Sequence, residues 1–160
     1  METTYEVAPS GNQLTAKRTV NAPREKVWRA WTDATLLDKW WAPKPYRAET
    51  KSMNFTEGGR WHYAMVGPGG DKHWCKSEYK TIQPQERIVH VNAFSDEEGN
   101  TVPAPPSHLW QTEFTATPTG TSITVVLTFD NPADLDRIME MGFKEGFAAA
   151  LGNLDETLAA

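Results

Sequence analysis

The chain has 160 residues, of which 39% are hydrophobic and 23% are charged, and its formal net charge is −5. A chain of this length can form one domain and bury a sizeable core without disulfides, and the single cysteine, Cys75, excludes an internal disulfide. The acidic balance argues against non-specific nucleic-acid binding and against electrostatic docking to anionic membranes, since both need a basic face. We therefore expect no nucleic-acid partner and no membrane partner.

The first residues differ in character from the rest of the chain. Residues 1–13 are polar and contain proline and glycine, which predicts a loose N-terminal segment before a single domain over residues 14–160. The segment lacks the basic and then apolar pattern of a secretory signal, and no apolar run approaches the roughly 20 residues that span a bilayer. These features predict a cytoplasmic protein.

A strand and a helix open the predicted domain. The stretch LTAKRTV (residues 14–20) alternates Leu14, Ala16 and Val20 with polar residues, which is typical of a half-buried strand. The following stretch, NAPREKVWRAW, predicts a helix with Asn21 as its cap and Pro23 in the first turn.

A second short helix ends in two adjacent tryptophans. Either Thr32 or Asp33 can cap the stretch DATLLDKWW, and the helix must stop before Pro43, because proline disfavours helical geometry in the residue before it. Adjacent helical residues point about 100° apart, so Trp40 and Trp41 cannot face the same way. We predict that one packs into the core and the other lines a cavity mouth, and the sequence does not decide which.

From residue 45 to residue 130 the hydrophobic pattern has period two. Glycine and proline turns separate the segments, which predicts an antiparallel meander of six further strands. The segments are YRAETKSMNF, GGRWHYAMV, KHWCKSEYKTI, RIVHVNAF, SHLWQTEFTAT and TSITVVLTFD.

The remaining chain predicts one long helix over residues 130–160, capped by Asp130 or Asn131, with apolar residues at three- and four-residue steps. Gly142 and Gly146 lie on or near that stripe, where they allow either close helix–sheet approach or room for a ligand. The element order predicts an α+β fold in which a curved antiparallel sheet of about seven strands holds the long helix in its concave side.

Four motifs in this order resemble a known family. They are NAPREKVWRAWTDATLLDKWWAP, EGGRWHYAMVGPGG, YKTIQPQERIVHVNAFSDEEGN and EGFAAALGNLDETL, the last with Phe147 where the family usually has tryptophan. Over residues 14–158 the chain resembles the activator of heat-shock-protein ATPase homologues, within the START and birch-pollen-allergen superfamily. The resemblance implies a helix-grip fold with a cavity between the sheet and the long helix.

If the helix grips the sheet, the inward aromatic stripe forms either a filled core or an apolar pocket with a few polar groups, which is the usual form of a small-molecule site. On the resemblance we expect the pocket. Its candidate ligand-binding residues are Trp41, Trp61, Tyr63, Met65, His108, Trp110, Thr112, Phe114, Met139 and Phe143.

Other kinds of site find little support in the sequence. The four histidines, His62, His73, His90 and His108, lack zinc-motif spacing, and His62 should face outward, so we expect no metal and no cofactor. Cys75 is interpreted as a small half-buried strand residue, and no nucleophile elbow occurs, so no catalytic residue is assigned.

Three functions stay open, and we expect binding more than catalysis. The first is a protein that binds a small apolar or aromatic molecule. The second, implied by the superfamily, is a cyclase- or hydrolase-type enzyme that uses the same cavity, with His108 and Tyr63 as the groups to test. The third is a co-chaperone-like stimulator of a chaperone ATPase. A homodimer through an exposed strand edge is also left open.

Overall fold

Eight antiparallel strands form one open sheet in the computed structural model of the protein, which describes residues 3–103 and 105–159. The strands are β1 (Thr4–Val7), β2 (Gln13–Val20), β3 (Arg47–Met53), β4 (Arg60–Val66), β5 (Lys72–Gln83), β6 (Arg87–Phe94), β7 (His108–Thr117) and β8 (Gly120–Thr128). The helices are α1 (Arg24–Thr32), α2 (Ala34–Trp40), α3 (Pro132–Glu140) and α4 (Phe143–Ala159). This is the α+β helix-grip architecture predicted from the sequence.

The strand order in the sheet is β1-β2-β8-β7-β6-β5-β4-β3. Neighbours from β3 to β8 follow the chain as a meander, whereas β2 pairs with β8, so Leu14 lies opposite Leu127. The first long strand and the last strand therefore meet, and the two short helices α1 and α2 connect β2 to the far edge at β3.

One face of the sheet carries the core because apolar side chains alternate along the strands. On β8, Ile123, Val125 and Leu127 are fully buried on this inner face. The C-terminal helix α4 buries Leu151 and Leu154 in the same cluster, and α1 and α2 add a group of tryptophans. The inner face is therefore covered by all of these helices rather than by α4 alone.

The N-terminal segment was expected to be loose, but Thr4–Val7 forms the edge strand β1 and pairs with β2. Tyr5 fixes it in place, because its hydroxyl donates a hydrogen bond of 2.8 Å to the backbone carbonyl of Lys144 in α4. Because this contact joins distant parts of the chain, no local sequence pattern predicts it. With β1, the sheet has eight strands instead of the predicted number of about seven.

The caps of the N-terminal helices agree only partly with the prediction. Pro23, and not Asn21, occupies the N-cap position of α1, and no side chain caps that helix. Asp33 caps α2 as one of the two predicted candidates, accepting a 2.8 Å hydrogen bond from the backbone N–H of Thr35.

The predicted long C-terminal helix is broken in two. Gly142 has a φ of 87°, a left-handed conformation that glycine adopts readily, and it ends α3 two residues after Glu140. Asn131 caps α3, and α4 begins at Phe143. The apolar stripe continues across the break, which is why the sequence pattern resembles one helix.

The sequence predicted that His62 faces outward, and it does lie on the outer phase of β4, although it is only 1% exposed. The loop after β6 folds over it: the ring Nε2 lies 3.2 Å from the carbonyl oxygen of Asp96 and 3.3 Å from the Ser95 hydroxyl. Burial lowers the pKa of His62. The predicted direction of the side chain is therefore correct, and His62 is buried because the loop covers this part of the outer face.

One charged pair lies on the inner face. Arg18 alternates inward with the apolar residues of β2 and is 7% exposed. Its guanidinium forms an ion pair with Asp155 of α4 and also donates to the hydroxyl of Thr3. The pair ties the helix to the first long strand.

Candidate functional site

A pocket of about 240 Å³ lies between the inner face of strands β4–β7 and the junction of α3 with α4. This volume accommodates roughly a dozen or more water-sized groups. Its lining comprises Trp41, Pro43, Tyr63, Met65, Cys75, Lys76, Asn92, Ala93, Phe94, His108, Trp110, Ile138, Met141, Gly142, Phe143, Gly146, Phe147 and Ala150. Most of these side chains are apolar or aromatic, as in sites for small molecules.

The two adjacent tryptophans take different places. Trp40 is completely buried and donates from its indole Nε1 to the backbone carbonyl of Ala30 at 2.9 Å. Trp41, one residue beyond the end of α2, borders the pocket and donates to the Tyr63 hydroxyl at 2.9 Å. Trp41 is therefore the member of the pair that faces the open space, and Trp40 belongs to the core.

The structure divides the ten candidate residues into two groups. Those that border the pocket are Trp41, Tyr63, Met65, His108, Trp110 and Phe143. Trp61, Thr112, Phe114 and Met139 lie outside its wall. Trp61 stacks on Tyr63 with ring centroids 3.9 Å apart, and Phe114 packs edge-on against Trp31, so the space above these positions is filled.

Sequence reasoning missed several wall residues, among them Cys75, Asn92, Phe94, Met141 and Phe147. Asn92 and Phe94 share the inner phase of β6, and Cys75 lies opposite Phe94 on β5. Strand alternation could have found them, since each occupies an inward position. Met141 could not have been found in this way, because its place depends on the helix break.

Aromatic rings form much of the wall. Phe143 and Phe147, one turn apart on α4, stack with centroids 5.3 Å apart and planes at 22°. Both meet Trp110 edge-on, at 6.0 Å and 5.4 Å, and Trp41 lies 5.7 Å from Trp110. Such faces and edges favour contact with another flat ring.

His108 is held in its neutral form by burial, and both of its ring nitrogens have hydrogen-bond partners. Its Nε2 accepts a 2.8 Å hydrogen bond from the Trp110 indole, and its Nδ1 lies 3.4 Å from the carbonyl of Pro106, to which an Nδ1–H donates. Burial lowers the pKa of His108 to about 4, opposed in part by the Pro106 bond. Because both ring nitrogens are engaged, this imidazole has no free lone pair with which to act as a general base.

The Cys75 thiol and the Tyr63 phenol at the wall are also neutral at pH 7. Burial raises the pKa of the Cys75 thiol to about 12, so it is not a thiolate nucleophile. Burial likewise raises the pKa of Tyr63 well above its ordinary value. The Lys76 side chain pairs with Glu78 at 3.7 Å, and these two residues share the outer face of β5.

Asn92 places an amide on the pocket floor. Its Oδ1 accepts a 2.6 Å hydrogen bond from the hydroxyl of Ser77 on the adjacent strand. That bond orients the amide, so its Nδ2 donor points away from Ser77. Two residues earlier on the same face, His90 stacks on Trp110 with centroids 5.7 Å apart.

Within residues 3–103 and 105–159, no group of three His, Cys, Asp or Glu side chains is arranged to hold a metal ion. In the same part of the chain, no helix combines the length and the apolar character that crossing a membrane requires.

A family profile described as Activator of Hsp90 ATPase homolog 1-like protein matches residues 21–159. The chain belongs to this family. The fold is accordingly the helix-grip fold of the START and birch-pollen-allergen superfamily, as the four sequence motifs predicted.

Solved structures of family-like proteins superpose over nearly the whole chain. A Mycobacterium smegmatis protein is 26% identical, with a TM-score of 0.89 over 98% of this chain and 97% of its own. An Arthrobacter aurescens protein is 25% identical, with a TM-score of 0.91 over 98% and 91%. A Silicibacter pomeroyi protein named for the same family is 16% identical, with a TM-score of 0.72 over 92% and 97%, and shows the fold alone. No curated protein matches the chain significantly.

Proposed function

We propose that the protein binds a small apolar molecule in the pocket between the sheet and the α3–α4 junction. The observation that carries the proposal is an open volume of about 240 Å³ with a largely aromatic wall. Protein interiors are normally close-packed, and voids larger than a water molecule are few. An apolar cavity of this size fits a ligand better than it fits water, which needs polar partners.

The α3–α4 junction forms one side of this site. Met141 is 54% exposed although it is a large hydrophobic residue, and it lies beside Gly142 at the pocket wall. A flexible thioether side chain at that point can adapt to different ligands.

Two glycines of α4 provide a matched test. A Cβ added to Gly146 would stand 3.8 Å from Pro43 Cγ, on the pocket side, whereas a Cβ added to Gly152 would meet nothing within 4 Å. Both Gly146→Leu and Gly152→Leu gain helix propensity, but only the first puts a side chain into the pocket.

The probe is N-phenyl-1-naphthylamine, a neutral apolar dye whose emission rises when it leaves water. We expect the wild-type protein and Gly152→Leu to bind it with similar dissociation constants, and Gly146→Leu to bind it at least tenfold more weakly. Absence of binding to the wild-type protein, or equal binding by Gly146→Leu, would contradict the proposal.

Catalysis in the same cavity is less well supported. Of the two groups that the enzyme hypothesis would use, His108 has both ring nitrogens engaged, and burial raises the pKa of Tyr63 well above its ordinary value. Stimulation of a chaperone ATPase rests on the family alone. A chaperone ATPase assay with the purified protein is the experiment that tests it.

A further inference from the structure

The pocket wall offers hydrogen-bond donors and has its side-chain acceptors already occupied. Asn92 Oδ1 accepts from Ser77, and His108 Nε2 accepts from Trp110. The Asn92 Nδ2 donor is different: among the hydrogen bonds of residues 3–103 and 105–159, it has no partner. Asn92 is only half-buried and borders the pocket, and its Nδ2 is not one of the fully buried side-chain atoms that lack a partner, so this donor is accessible from open space.

A second donor lies across the pocket on β4. The Tyr63 oxygen accepts from Trp41 at 2.9 Å, which leaves its own O–H to donate. In the described chain it has no oxygen or nitrogen acceptor, and the group beside it is the Cys75 thiol, whose sulfur is a weak acceptor. An oxygen atom in the pocket would be a better partner for this proton than the thiol.

The wall also lacks a charge that could balance an ionic ligand. His108 is neutral because burial lowers its pKa to about 4, Cys75 and Tyr63 are protonated, and Lys76 pairs with Glu78 on the outer face. An ion that entered the pocket would lose its hydration and gain no counter-charge, which is unfavourable.

The aromatic part of the pocket wall favours ligands of a particular shape. Trp41, Trp110 and the stacked pair Phe143 and Phe147 present ring faces and edges, which contact a flat molecule better than a branched one.

We propose that the pocket selects a neutral, flat, largely apolar molecule that carries one hydrogen-bond-acceptor oxygen, and that the Asn92 Nδ2 amide recognises that oxygen. Asn92 is thus the specificity-determining residue, and Ser77 is the positioning residue that fixes its orientation. This inference rests on the proposed function, since it names the chemical class of ligand for the same pocket.

The test compares isosteric probes that differ at one atom. In 2-acetylnaphthalene a carbonyl oxygen stands where 2-isopropenylnaphthalene has a CH₂ group, and 2-naphthoate carries a charge instead. Isothermal titration calorimetry at pH 7 should show the ketone binding about tenfold more tightly than the alkene, as expected for one or two net hydrogen bonds. The naphthoate should bind at least tenfold more weakly than the ketone.

Variants then assign the preference to Asn92. Asn92→Leu should retain the alkene affinity within about twofold and lose the preference for the ketone. Asn92→Asp has nearly the same shape as the wild-type residue but no amide donor, so it should also lose the preference for the ketone. This variant serves as the test if the leucine variant does not fold. Ser77→Ala keeps the donor and should keep a preference of several fold.

The outcomes separate this inference from the proposed function. Equal binding of ketone and alkene by the wild-type protein overturns the inference while the pocket remains a binding site. Equal losses of both probes in Asn92→Leu and Asn92→Asp overturn the role of Asn92. Tight naphthoate binding overturns the requirement for neutrality, and if N-phenyl-1-naphthylamine and all three naphthalenes fail to bind, both proposals are wrong.

Discussion

Replacing His90 by phenylalanine should make the protein markedly less sensitive to acid. His90 is 5% exposed, and in the described part of the chain its Nδ1 has no hydrogen-bond partner. Burial lowers its pKa to about 4, opposed in part by Asn92 and reinforced by His108. Phenylalanine keeps a flat ring against Trp110 and removes the group that titrates.

The direction of the change in stability with pH follows from the pKa values of His90 in the folded and in the unfolded state. A histidine in an unfolded chain has a pKa of about 6.5, so as the pH falls the unfolded state takes up the proton first. Stability is therefore complete above about pH 6.5 and is lost progressively as the pH falls towards 4. A difference of about 2.5 pKa units corresponds to about 3 kcal/mol, of which about 2–3 kcal/mol should be lost between pH 7.5 and pH 4.5.

Urea denaturation, followed by circular dichroism at a series of pH values, measures this loss. Carboxylates and His108 titrate in both proteins, so the difference between the two pH profiles reports His90 together with its coupling to His108. With an m-value of about 2 kcal/mol/M, the wild-type midpoint should fall by about 1 M more than that of His90→Phe. Parallel profiles for wild type and His90→Phe would refute the reasoning.

Two further pairs of variants test the fold. Gly142→Ala should lower the free energy of unfolding by about 1 kcal/mol because φ is 87° there, whereas Gly152→Ala, inside α4 with free space around its Cβ, should raise it by about 1 kcal/mol; equal shifts in the urea midpoint would count against the helix break. Asp155→Asn should cost about 2 kcal/mol, because it leaves the buried Arg18 guanidinium without a counter-charge. Glu156→Gln removes an exposed ion pair and should stay within about 0.5 kcal/mol of the wild type, so a loss as large as that of Asp155→Asn would contradict this account.

The elements of the fold were predictable where the pattern is local. Period-two alternation located β2 to β8 to within a few residues, and Asp33 and Asn131 act as helix caps. The strand β1 was missed because four mostly polar residues gain their stability from Tyr5 and its bond to Lys144, across the whole chain. The helix break was missed because a glycine can occur both in the apolar stripe of a continuous helix and at a turn between two helices.

The sequence predicted which face of the sheet carries the site, but not where on that face the pocket lies. Alternation correctly put Thr112 and Phe114 on the inner face, yet it could not tell that the tryptophans of α1 fill the space above Phe114. Asn92 occupied an inward position in the predicted strand and was passed over because polar residues seldom indicate a core. Its importance depends on which partner takes its oxygen, and only the pairing of β5 with β6 reveals that partner.

The pairing of β2 with β8 also constrains how the protein is made. Residues 13–20 are synthesised well before their partners, residues 120–128, and α4 follows those in turn. Contacts this distant in sequence close slowly, because the loop-closure entropy must be overcome before any contact forms. Until β8 and α4 have been synthesised, the meander from β3 to β7 lacks both its neighbouring strand and its covering helix. The aromatic inner face is thus exposed on the nascent chain at that stage, and exposed apolar surface of this kind promotes aggregation.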